Sequence, residues 1–175
     1  MSILKFRKAV NNQTYLAVSV LGQSLKLNIK YTNTSSIDLN KKDSEIDLFL
    51  PKIYKNIENI DVINMAIQKL YNTIAETEIE YAMEVARHIL KFAPEDYSIK
   101  RLDDEFYKCS KNKITINPDI VRFNREIINT TIIQAFCKIK HRPNSIAYKE
   151  LLNRAMNEYE IYKKKEIKNK FLKVS

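Results

Sequence analysis

Arg125-Glu126-Ile127-Ile128-Asn129-Thr130-Thr131-Ile132-Ile133-Gln134-Ala135-Phe136-Cys137-Lys138-Ile139-Lys140 is the stretch whose reading decides the fold. Ile128, Ile132, Phe136 and Ile139 recur at helical spacing and form one apolar stripe, which predicts a buried-face helix over residues 125–140. Gln134 and Lys138, four residues apart, share another face of that helix. Pro143 ends the pattern, and Asn144 or Ser145 is placed to cap a following helix through Ala147, Leu151 and Ala155. The tail from Ile161 to Lys173 reads as a basic amphipathic helix with Ile167 and Phe171 as its apolar stripe.

Upstream the period changes twice. Thr14–Leu21 and Leu25–Tyr31 flank Gly22-Gln23-Ser24 and predict a hairpin, the second run alternating apolar and polar. A polar stretch from Thr32 to Lys42 precedes a strand over Glu45–Leu50, which Pro51 ends. From Asp61, placed as a cap, Ile63, Ile67, Leu70 and Ile74 predict a helix that continues to Phe92 and stops before Pro94. Glu76, Glu80 and Glu84 line one face of it; with no histidine among them, they read as a solvated surface. Tyr97–Leu102 and Lys113–Asn117 read as short strands.

The composition excludes several chemistries. Gly22 is the only glycine in 175 residues, so no glycine-rich phosphate loop, dinucleotide fingerprint or serine-hydrolase elbow can be built. Two cysteines, Cys109 and Cys137, are too few for a disulfide framework and read as reduced, partly buried thiols. A hydrophobic content of 45% with 29% charged residues suits one globular domain without a membrane span. The first residues lack the apolar core of a signal peptide, so a cytoplasmic location is expected. The net charge of +9 is uneven: residues 1–96 hold 12 basic and 12 acidic side chains, residues 97–175 hold 18 and 9. That asymmetry suits either an anionic partner or a solvated basic face.

The order of weaker signals in the C-terminal half resembles the YgjP-like metallopeptidase family, relatives of the SprT-type zincins. Ile99-Lys100-Arg101 leads to Phe106-Tyr107-Lys108-Cys109-Ser110, where the family has Trp-Gly-Ser-Cys. Ile114-Thr115-Ile116-Asn117-Pro118 follows, then the link Val121–Ile128. Gln134-Ala135-Phe136-Cys137-Lys138 falls in the register of the family's His-Glu-x-x-His helix, and Pro143-Asn144-Ser145 in that of its last motif. The N-terminal half matches only in outline. The resemblance implies an α+β, zincin-like single domain over residues 1–175. Residues 1–93 would supply N-terminal strands and a long helix. Residues 94–175 would supply a degenerate core, with a small sheet packed on the former active-site helix and a basic tail.

In such a family two histidines on one helix face bind zinc, the intervening glutamate acts as general base, and a third histidine completes the set. Here Gln134, Ala135, Lys138 and Asn144 hold those four positions. Gln134 is a poor zinc ligand, and an ammonium at Lys138 has no lone pair and puts positive charge where the cation would sit. His141 is three residues out of register and reads as an exposed turn residue, and Cys137 as a packing residue. The resemblance therefore implies an inactive homologue: no enzyme, no catalytic residue, no bound metal or cofactor, and a binding or regulatory role toward an unknown protein or peptide. The competing reading is a nucleic-acid-associated protein, with Lys163, Lys164, Lys165 and Lys168 as candidate anion-binding residues beside Lys170 and Lys173. An active peptidase with unrecognised ligands comes third.

Overall fold

The computed structural model describes residues 4–8, 14–55 and 60–172, and side chains from 15 to 167 within them. It is an α+β arrangement of eight strands and three long helices. The strands are β1 (Leu4–Lys8), β2 (Thr14–Val20), β3 (Gln23–Thr32), β4 (Asp38–Lys41), β5 (Glu45–Pro51), β6 (Asp96–Ile99), β7 (Tyr107–Ser110) and β8 (Lys113–Ile116). The helices are α1 (Ile60–Leu90), α2 (Arg125–Lys140) and α3 (Ile146–Leu172). Two compact units result: one comprises residues up to Thr77 with Pro118–Arg125, the other Glu78–Asn117 with Glu126 onward.

The first unit holds a five-stranded sheet in the order β1-β2-β3-β5-β4. β5 lies parallel to β3 and antiparallel to β4, so it slots between two strands that precede it. The polar stretch 32–42 thus contains an edge strand that its composition hides. Leu25, Leu27, Ile46, Leu48 and Leu50 are buried with Ile63, Ile67 and Tyr71 of α1. The Tyr71 hydroxyl donates to the Ser19 carbonyl at 2.8 Å, which satisfies its one buried polar atom.

Gly22 has a structural task. It follows Leu21 in a two-residue turn in which both have positive φ, 49° and 80°, the combination that matches strand twist in a tight hairpin. The turn lies one residue earlier than the sequence suggests, and Gln23 and Ser24 already belong to β3. A Cβ on Gly22 would come within 2.9 Å of the Asn124 Cβ and 3.2 Å of its backbone nitrogen. The approach is fixed by hydrogen bonds from Leu21 N–H to Val121 O and from Gly22 N–H to Arg122 O.

Asp47 is buried on β5, facing Lys30 Nζ at 3.0 Å and Lys42 Nζ at 2.8 Å, and accepts from Asn28 Nδ2 at 3.2 Å. The hydrogen bonds from Lys42 and then Lys30 hold its carboxyl down at about 2. A buried carboxylate is tolerable here because three donors replace water.

In the second unit β8 is central, parallel to β6 and antiparallel to β7. Asn117, buried at the end of β8, donates through Nδ2 to Leu102 O at 2.8 Å and Glu105 O at 3.1 Å. It thereby pins the loop between β6 and β7; β6 ends at Ile99, before the expected Leu102. α1 ends at Leu90 rather than Phe92, because Lys91 adopts a left-handed conformation, φ 59°, and caps the helix there. Asp61 lies in the first turn, one residue inside the start at Ile60. Glu76, Glu80 and Glu84 are exposed, as expected. α3 is capped by Ser145, whose Oγ accepts from Tyr148 N–H at 3.1 Å. Ile139 is only half-buried, and Ile167 is exposed instead of packing down; Phe171 lies outside the described side chains.

Gly22→Ala is expected to lower stability by about 2 kcal/mol from φ strain and the Asn124 approach, read as a shift in the urea midpoint at constant slope. The Asp47 carboxyl titrates below its unfolded value, so its contribution is complete above about pH 4 and is lost as pH falls toward about 2. Asp47→Asn is therefore expected to be less stable than the parent at pH 6, with a smaller further loss between pH 4 and pH 2. Parallel pH profiles of the two proteins would contradict this.

Candidate functional site

α2 is enclosed on most of its perimeter. Ile128, Ile132, Ile133, Ala135, Phe136 and Cys137 are at most 1% exposed, and Gln134 and Lys138 form a half-buried strip on the remaining side. The two residues share a face through their four-residue spacing. Ala135 is fully buried, so a carboxylate there would be buried too. The Cys109 thiol on β7 donates to the Ala135 carbonyl at 3.6 Å, so β7 runs along the same helix.

The decisive contact is at Lys138. Its Nζ lies 5.2 Å from the centroid of the Tyr107 ring on β7, a cation–π distance. Burial, then the neighbouring Tyr148, then the thiols of Cys109 and Cys137 push the Tyr107 hydroxyl up to about 12. Burial likewise raises Cys109, with the Lys138 charge opposing it, and pushes Cys137 up to about 11 against Arg154. The strip is thus a lysine on a tyrosine face beside two protonated thiols.

Asn144 is exposed in the turn after Pro143, with φ 67°, a conformation that asparagine tolerates better than most residues. His141 is half-buried rather than exposed, its N–H bonded to Cys137 O at the end of α2. His88 is on α1, its ring 5.8 Å from that of Tyr162. Both cysteines are free thiols. Among the described residues no three His, Cys, Asp or Glu side chains gather to hold a metal ion, and no helix is long and apolar enough to cross a membrane.

The family model of the YgjP-like metallopeptidase domain matches residues 4–169. The chain belongs to that family. The match takes in the N-terminal sheet as well as the C-terminal half where the motifs are. Neither the curated proteins nor the solved structures give a significant match. The metal that the family's name implies does not fit the strip: an amide and an ammonium are its side chains, and the ammonium is already engaged by an aromatic face.

The basic residues of α3 divide into two kinds. Lys163 is bound to Glu126 at 2.7 Å and Glu160 at 2.6 Å and lies over the Tyr159 ring; the two carboxylates raise its pKa. Beside it Asn129 donates to the Tyr159 hydroxyl at 3.0 Å, so this group clasps α3 to α2. Lys164 and Lys165 are exposed. The side chains of Lys168 and Lys170, and all of Lys173, lie outside the described residues. Sequence reasoning passed over Asn129. An asparagine inside the apolar stripe of α2 was the available signal, since a buried amide must find a partner.

At pH 8 Cys109 is expected to react with Ellman's reagent well before Cys137. A thiol held at about 11 carries about a hundredfold less thiolate than an ordinary one. Peptide mass spectrometry after partial labelling reads the order, and label on Cys137 first would contradict the burial argument.

Proposed function

We propose that this chain is a metallopeptidase-family domain that has given up zinc-dependent hydrolysis and serves as a binding module. The observation that carries the reading is Lys138 over Tyr107: a fixed positive charge on the helix position where the resemblance places a zinc ligand. Gln134 beside it, Ala135 in full burial and Asn144 in a left-handed turn offer no carboxylate or imidazole in compensation. A peptide partner suits the small sheet, whose edge strands β6 and β7 can accept an added strand through main-chain bonds. A second reading, association with nucleic acid, is favoured by the excess charge of residues 97–175 and by Lys164 and Lys165 exposed on α3.

Protein purified without added metal and dialysed is expected to hold far less than equimolar zinc by mass spectrometry, and to leave casein uncut with zinc supplied. Near-equimolar zinc together with chelator-sensitive cleavage would overturn the reading. Gln134→His, Lys138→His and Asn144→His combined is expected to gain zinc affinity, because histidine tolerates the turn conformation at residue 144 and the helix spacing is retained.

A further inference from the structure

The end of α1 and one face of α3 enclose a cavity of about 520 Å³ away from the α2 strip. Arg154, Glu158, Ile161 and Lys165 line it from α3 at spacings of four, three and four, so they project from a single helix face. His88 and Lys91 are among the residues that line it from the end of α1, and Tyr162 closes one side, its ring tilted 53° against that of His88.

Three features distinguish this cavity from an ordinary solvated surface. Lys91, Arg154 and Lys165 bring three fixed positive charges to it against the single carboxylate of Glu158. None of the three makes an ion pair among the described residues, and Arg154 leaves Glu158, one turn away and opposite in charge, unbridged. Nearby Lys163, by contrast, is bound to two carboxylates. Lys91 also occupies a left-handed helix end, φ 59°, where glycine or asparagine is usual; a lysine is strained there, and it lines the cavity. The carbonyls at the end of α1 carry partial negative charge, but one of them is taken up by the Lys91 N–H, which bonds to Arg87 O.

We infer that this cavity binds a nucleotide unit, with Lys91, Arg154 and Lys165 on the phosphate and the Tyr162–His88 pair against the base. The guanidinium supplies a planar fork for phosphate oxygens and the lysines supply point charge. An aromatic face beside them suits a base, since stacking is open to any of the four. The volume suits one nucleotide. The inference rests on the nucleic-acid reading and deepens it: one unit of a single strand sits in the cavity, and Lys164 on the adjoining turn meets a neighbouring phosphate. A free mononucleotide presents the same chemistry and is separated by the test.

Fluorescence anisotropy with a labelled twelve-nucleotide oligo-dT, and calorimetry with adenosine 5′-monophosphate, are run at several salt concentrations on the full chain. The parent is expected to bind the oligonucleotide. Arg154→Ala with Lys165→Ala should weaken it about tenfold or more and lower the log–log salt slope by about 0.7 per lost contact. Tyr162→Ala should weaken it with the slope unchanged. All three residues are at least partly exposed, and circular dichroism checks that the variants fold. Strand binding that ignores the cavity variants and falls only with Lys164→Ala overturns the cavity while sparing the nucleic-acid reading. Binding of the mononucleotide alone, lost in the double variant, supports the cavity and overturns the strand. No binding of either probe at low salt overturns both.

Discussion

The enclosure of α2 is the constraint from which the rest of the second unit follows. Six of its side chains are withdrawn from water almost completely, and each large one contributes about 1.5–3 kcal/mol of burial. A helix so engaged cannot rotate: a turn of one position would expose Phe136 or Ile132 and bury Lys138 or Glu126. The face left over is therefore fixed by the core and not by any ligand. Whatever side chains occupy positions 134 and 138 are presented as a pair at the edge of β7. The frame presents an amide and an ammonium there.

Polar side chains then tie the helices and loops down at a few points. Asn117 holds the loop after β6, Asn129 reaches Tyr159, and Tyr81 donates to Glu166 at 3.0 Å between α1 and α3. Each of these three side chains has a partner, so none of them carries the desolvation penalty of an orphaned group. Such bonds add little net energy but reject misaligned packings, in which the same groups would be left unpaired.

The helices were legible in the sequence because their apolar spacing is local: the span 125–140 and a cap at Asn144 or Ser145 emerge from residue order alone. The hairpin around Gly22 was legible for the same reason, although the turn chemistry put Leu21, not Ser24, in the loop. β4 was not legible, since Asp38-Leu39-Asn40-Lys41 is polar and earns its strand only by pairing with β5. The residue types at Gln134, Ala135, Lys138 and Asn144 could be read from the sequence, but their surroundings could not. Nothing local foretells that Ala135 is sealed, that Lys138 rests on Tyr107, or that Lys163 is spoken for by two acids. The α1–α3 cavity was equally hidden, because Lys91 and Arg154 are 63 positions apart along the chain.

The placement of β5 between β3 and β4 bears on how the first sheet assembles. β2 with β3 and β4 with β5 are hairpins whose strands are joined by only a few residues, so each closes quickly and independently. The parallel seam between β3 and β5 joins residues about nineteen apart, such as Lys26 with Glu45, and must wait for both. It is also where Asn28 and Lys30 meet Asp47. The β4–β5 hairpin already offers Lys42 to Asp47, and the docking of β3 adds Lys30 and Asn28. The seam favours the native register: a hairpin docked out of register would leave Asp47 with Lys42 but without Lys30 and Asn28.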